Sequence, residues 1–282
     1  FLDQNFLKGL NPVGVPKFLK DTTYTPAQLK KESIEDMILK QNIKIIIIEA
    51  ARYEYLDEEI TKFIKKFKKK GGVVIADEVT SGFRVEKKIA IYKLGINPDI
   101  VVLGKGLGAG WPVAAVGCDY SYKSRLENVF ASSTFWTEQS GLMAGRLTLK
   151  RLKRWDDFFI NLQKNSISLR KNLINSFNET ETGFDINSIE TMISYKFKFV
   201  GFDERQSAAL LVDKLVNRGY LFSTTIYPTI CHIEKENKLF SKSLTNSIKE
   251  LSLEINRSYS DVKKNLDSFG YLERGFSRTQ KL

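Results

Sequence analysis

Apolar positions along this chain fall into two patterns, short unbroken runs and stretches that recur every three or four residues. Ile45 to Ile48, Val73 to Ala76 and Ile100 to Leu103 are unbroken and strand-sized, the pattern of strands covered on both faces. Val113 to Gly117 reads as a further strand, and Val129 to Ser132 as a short one. Between the first two runs, Ile60, Phe63, Ile64 and Phe67 fall at i, i+3, i+4 and i+7, which predicts an amphipathic helix. Asp57 suits its N-cap, its last turn is rich in lysine, and Gly71 can close it. Strand-helix-strand spacing implies a mostly parallel sheet with helices on its faces. In such sheets ligands bind beyond the carboxyl ends of the strands.

The flanking regions read differently. Residues 1–30 are broken by Asn11-Pro12, Val15-Pro16 and Thr25-Pro26, and a helix is expected over Ala27 to Lys40. A long helix, with a bend, is expected from Glu138 through about Leu162. From about Arg151 the pattern changes. Strand-like segments at Glu190 to Val200 and Tyr220 to Tyr227 flank a helix at Gln206 to Asn217, closed near Gly219, and helix dominates Lys235 to Phe269. The fold class is therefore α/β. A large domain lies in residues 1–150 and a smaller α+β domain in residues 151–282.

With 282 residues, 42% hydrophobic and 27% charged, the chain can bury a sizeable core. No apolar stretch approaches the roughly 18 residues of a membrane span, and the amino terminus carries no signal-peptide pattern. The chain begins at Phe1 rather than Met, as a processed or incomplete chain would. The net charge of +11 raises a nucleic-acid reading. Yet the lysines, such as Lys62, Lys65, Lys66, Lys68, Lys69 and Lys70, lie on solvated helix faces, and no reader module or aromatic-interleaved basic stripe occurs. Nucleic acid is set aside, and the charge is left to attract an anionic cofactor or substrate. Cys118 and Cys231 read as reduced thiols of a cytoplasmic protein. His232 is the only histidine. That excludes a multi-histidine metal cluster, and no nucleophile motif accompanies it.

The chemistry concentrates at two strand ends. The run Gly-Val-Val-Ile-Ala ends on Asp77-Glu78-Val79, and Lys105 follows Val-Val-Leu-Gly among nearby glycines. Taken alone, Asp77 reads as a helix or loop cap and Lys105 as an exposed loop lysine. Together they match what pyridoxal phosphate needs, an amine for its aldehyde and a carboxylate for its pyridine nitrogen.

Around this pair the sequence runs Asp77-Glu78-Val79-Thr80-Ser81-Gly82-Phe83-Arg84, then Asn97-Pro98-Asp99-Ile100, then Leu103-Gly104-Lys105-Gly106-Leu107-Gly108-Ala109-Gly110-Trp111-Pro112. It resembles the class III, fold type I aminotransferases, most nearly their glutamate-1-semialdehyde aminomutase-like branch. Ser132-Ser133-Thr134-Phe135-Trp136-Thr137-Glu138, Arg218-Gly219-Tyr220 and Tyr227 to His232 extend the likeness. The resemblance implies pyridoxal 5'-phosphate as cofactor, with Lys105 forming its Schiff base and moving the Cα proton. It further implies Asp77 on the pyridinium nitrogen, Val79 against one ring face, and Thr134 with Ser133 beside it at the phosphate across a homodimer interface. The substrates would be a small-molecule amino donor and a carbonyl acceptor, or a single molecule whose amino group shifts position. No metal is implied.

Arg84 reads either as a loop-stabilising ion-pair partner or as a substrate-carboxylate clamp. Glu49 reads as structural, and Trp111, Phe135 and Trp136 as packing or interface aromatics. The resemblance also implies that the family's amino-terminal part, with its phosphate loop and a ring-stacking aromatic, is missing. The sheet would then be incomplete, and the chain would be a partial enzyme, half of a split one, or a non-catalytic remnant.

Overall fold

The computed structural model describes residues 34–268 except 53, 131, 133, 181 and 190, together with 18, 22 and 24. One unit runs from Ile45 to Leu266. In the other, helix α1 (Ile34–Lys40) ends in a turn in which Asn42 adopts φ 52° and donates to the Leu39 carbonyl. Of the helix expected from Ala27, the part before Ile34 lies outside the described residues.

The first sheet has the order β1-β2-β3-β4, with β1 at Ile45–Ile48, β2 at Val73–Asp77, β3 at Ile100–Leu103 and β4 at Ala115–Cys118. The β1–β2 and β2–β3 pairs are parallel, and β4 runs antiparallel to β3. Helix α2 (Glu58–Lys69) makes the crossover between β1 and β2. The Asp57 side chain caps it by accepting from Ile60 N–H at 2.7 Å, and Gly71, at φ 87°, closes it by donating to the Lys68 carbonyl. Its apolar stripe puts Ile64 and Phe67 into the core against β2. Asp99 ties this layer together, accepting from Val74 N–H at 2.8 Å and pairing with Lys68.

Two strand expectations are corrected. The β1 run is covered on one face only, since Ile45 and Ile47 are 54% and 66% exposed while Ile48 is buried. An unbroken apolar run sets strand propensity but does not supply the second covering layer. Residues 129, 130 and 132 are not in a strand; Val129 ends the turn that follows the short helix α3 (Lys123–Glu127), its N–H donating to the Leu126 carbonyl.

The expected long helix is two. Helix α4 (Gln139–Arg154) stops at Trp155, whose backbone leaves the helical region, and α5 (Phe158–Asn178) restarts after three residues. Trp155 and Phe158 meet edge to face at 4.9 Å across the break. A second sheet, β5-β6-β7, is antiparallel and comprises Phe184–Ile189, Met192–Phe197 and Thr225–Ile226. Helix α6 (Glu204–Val216) begins with a capping box between Asp203 and Gln206 and packs on β6 and on α7 (Glu234–Arg257), which also packs on α5. Their shared core centres on Phe177, which stacks with Phe184 at 5.2 Å and meets Tyr195 and Phe197 at 5.7 and 5.2 Å. Helix α8 (Tyr259–Ser268) follows, tied back by Tyr259 Oη on the Gly201 carbonyl.

Candidate active site

Parallel pairing brings the two chemical residues to one rim. Asp77, the last residue of β2, is in register with Val102 of β3, and Glu78 N–H continues the ladder to the Val102 carbonyl at 2.9 Å. Lys105 stands two residues beyond the end of β3, at the start of a 3₁₀ turn, Lys105–Gly108. Its φ is 42°, in the left-handed region where a side chain costs roughly 1–2 kcal/mol. The Lys105 amine donates to Thr80 Oγ1 at 2.8 Å, and the Thr80 carbonyl accepts from Arg84 Nε at 3.0 Å. Asp77 Oδ1 accepts from Val79 N–H at 3.1 Å, and among the described residues no cation pairs with this carboxylate. Val79 turns its methyl groups toward Gly104, 3.5 and 3.8 Å from where a Cβ there would sit.

The neighbouring acid has a different fate, which sequence reading missed. Glu78 is 1% exposed and accepts from Ala90 N–H at 3.0 Å, from Ile91 N–H at 2.8 Å and from the Ser81 hydroxyl. Burial raises its pKa against the opposing pull of those donors, and the Asp77 charge adds to the rise. The carboxylate thus pins residues 90 and 91 beneath the rim. Gly82 is needed in this turn, because a Cβ there would lie 2.7 Å from the Glu78 carbonyl oxygen. The one available signal was an acid directly after Asp77, and nothing local distinguishes a pinning carboxylate from an exposed one.

The remaining expected residues scatter. Thr134 is exposed on the loop before α4, and Ser133 lies outside the described residues. Glu49 accepts from Arg52 at 2.8 Å, a structural pair. Arg84 forms no ion pair with a described residue, so its expected ion-pairing role is corrected. Its guanidinium lies 4.6 Å from the centre of the Tyr227 ring, and burial lowers its pKa. Trp111, Phe135 and Trp136 are all more than half exposed. His232 Nδ1 accepts from Thr229 N–H at 3.0 Å in a tight turn. Among the described residues no group of three or more metal-ligating side chains gathers. No helix of the described residues is long and apolar enough to cross a membrane.

Comparison with known proteins gives this geometry a context. Residues 14–233 match the family described as aminotransferase class-III. The chain is 34% identical over 130 residues to a glutamate-1-semialdehyde 2,1-aminomutase of Caldicellulosiruptor bescii, covering 45% of this chain and 30% of that one. It is 29% identical over 283 residues to the protein of the same name in Wigglesworthia glossinidia brevipalpis, covering 88% and 64%. Among solved structures, the PLP internal aldimine form of the Sphingopyxis sp. MTA144 FumI protein matches with a TM-score of 0.72 at 17% identity, covering 80% of this chain and 56% of that one. An omega-transaminase from Sphaerobacter thermophilus matches at 0.64 and 17%, covering 76% and 54%. These structures share the α/β fold. The chain spans about half the length of the relatives it matches.

Proposed function

Because the chain belongs to the aminotransferase class-III family, we propose that Lys105 and Asp77 work on pyridoxal phosphate, and that the complete protein moves an amino group between an amine or amino acid and a carbonyl acceptor. Class-III aminotransferases use pyridoxal phosphate, which when bound supplies an electron sink for a carbanion beside nitrogen. The observation that carries the reading is one amine and one carboxylate at the carboxyl ends of neighbouring parallel strands. Neither is spent on an ion pair with a described residue, so the pair fits the ring end of the cofactor.

Lys105 would bind the cofactor aldehyde through its amine and, once released, take and return the proton at the substrate Cα. Thr80 Oγ1 holds that amine at the rim meanwhile. Asp77 would keep the pyridine nitrogen protonated. Its half-buried carboxylate, oriented by Val79 N–H, can accept one more charged donor. Val79 would flank the ring, with Gly104 leaving room beside it.

The exposed Thr134, with Ser133 beside it, would reach the phosphate from a second copy, making the enzyme a cytoplasmic homodimer with its site at the interface. In this reading residues 1–150 are the carboxyl-terminal portion of the cofactor domain and residues 151–282 the small domain. The names of the curated relatives favour a second variant, an amino shift within one molecule. Product analysis separates the two, because net transfer to a separate keto acid occurs only in the first.

The test is borohydride reduction of the chain incubated with pyridoxal phosphate, followed by peptide mass mapping. The expected label sits on Lys105 and vanishes in Lys105→Ala, with circular dichroism unchanged. Label on another lysine, or an undiminished visible band in Lys105→Ala, overturns the assignment.

A further inference from the structure

A cleft of about 640 Å³ opens between residues 82–84, the turn after Lys105, α4, the start of α5 and residues 228–230. That volume lies within the roughly 300–1,000 Å³ of small-molecule sites. Its wall is apolar, with Leu152, Phe158, Leu162 and Ile230 drawn from three separate segments around a buried cluster that includes Phe159.

Two guanidinium groups face this wall, Arg84 half-buried and Arg151 exposed at the mouth. Each is held by an aromatic ring, Arg84 over Tyr227 at 4.6 Å and Arg151 over Trp155 at 5.0 Å. A ring against the guanidinium takes none of its N–H groups and so leaves them available for bidentate hydrogen bonds. Arg84 spends Nε on the Thr80 carbonyl, and neither of its Nη atoms has a hydrogen-bond partner among the described residues. Among the described residues none that lines the cleft is acidic, and the adjacent Asp156 pairs with Lys87. A cation drawn partly out of water without a counter-ion favours an anionic ligand. Among the described residues that line the cleft, an ammonium group would find no carboxylate to receive it.

We infer that this cleft binds a monocarboxylate carrying an apolar chain and no ammonium group, with the carboxylate on Arg84 and the chain along Leu152, Phe158, Leu162 and Ile230. The site is separate from the roles of Lys105 and Asp77, and it stands or falls without them. Arg151 at the mouth adds attraction for the incoming anion. Thr191, whose hydroxyl donates to the Arg84 carbonyl at 2.7 Å, fixes the backbone that carries the main guanidinium.

Calorimetric titration of the whole chain with octanoate, octylamine and 2-aminooctanoate tests this. Octanoate should bind one to one, with octylamine and 2-aminooctanoate about tenfold or more weaker. Arg84→Met should weaken octanoate by a similar factor, and Arg151→Met by only a few-fold. If octanoate does not bind, or if octylamine binds as tightly, the inference is wrong. An Arg84→Met affinity within twofold of the unsubstituted chain also overturns it. Should that variant fail to fold, the comparison of the three ligands on the unsubstituted chain still decides.

Discussion

Replacing Glu78 by alanine removes one acceptor group that three donors share. Two of these are the backbone N–H groups of Ala90 and Ile91, residues with no measurable exposure. The third is the Ser81 hydroxyl, itself buried. A buried donor left without a partner costs about 1–3 kcal/mol, so the two backbone groups alone lose about 2–6 kcal/mol. Against this stands the desolvation that the carboxylate no longer suffers, the main cause of its raised pKa. A net loss of about 2–4 kcal/mol is expected from urea unfolding followed by circular dichroism. Glu78→Gln keeps one acceptor and should cost less.

The pH dependence has a definite sign. With its pKa raised above the ordinary 4.5, the folded chain binds this proton more tightly than the unfolded chain does. The stability contributed is therefore full below the unfolded value and is lost as pH rises through the folded one. Relative to Glu78→Gln, the unsubstituted chain should gain stability as pH falls from neutrality toward 4.5, other carboxylates cancelling in the difference. A difference that shrinks on acidification would mean that the three donors outweigh burial. A Glu78→Ala cost under about 1 kcal/mol would mean that the segment at 90–91 finds other partners.

Gly82→Ala should destabilise by about 1–3 kcal/mol, because its Cβ would meet the Glu78 carbonyl oxygen at 2.7 Å; unfolding midpoints read this, and an unchanged midpoint refutes the close approach. Phe177→Ala should cost about 3–5 kcal/mol by opening a cavity among Phe184, Tyr195 and Phe197, and a loss below about 1 kcal/mol would show that the second sheet's core does not depend on it. Asp77→Ala should weaken retention of pyridoxal phosphate on dialysis while leaving the far-ultraviolet spectrum intact, and unchanged retention would remove Asp77 from the site.

Much of this architecture is written in local spacing. The runs at 45–48, 73–76 and 100–103 become strands, and the stripe from Ile60 to Phe67 becomes α2 with its cap at Asp57, because strand runs and helix stripes depend on neighbours within a turn or two. The same locality placed Asp77 and Lys105 at strand ends. Where reading failed, the deciding partner lay outside the stretch being read. β5 lacks an apolar run and exists through its pairing with β6. The run at Val113 to Gly117 gave no sign that β4 would turn antiparallel to β3. Arg84 read as an ion-pair partner or a carboxylate clamp, and neither reading pointed to Tyr227, far along the chain, which meets it.

By itself, the sequence determined the α/β class, the parallel core of the first sheet and the placing of one acid and one amine at its rim. Those follow from residue type and short-range periodicity. Tertiary structure alone decided that Glu78 is sealed in while Asp77 keeps its carboxylate unpaired by any described cation. It likewise decided that Lys105 sits on left-handed backbone against Thr80, and that two arginines line an apolar cleft. Each of these depends on which groups the folded chain brings against a residue, and no run or stripe in the chain encodes that.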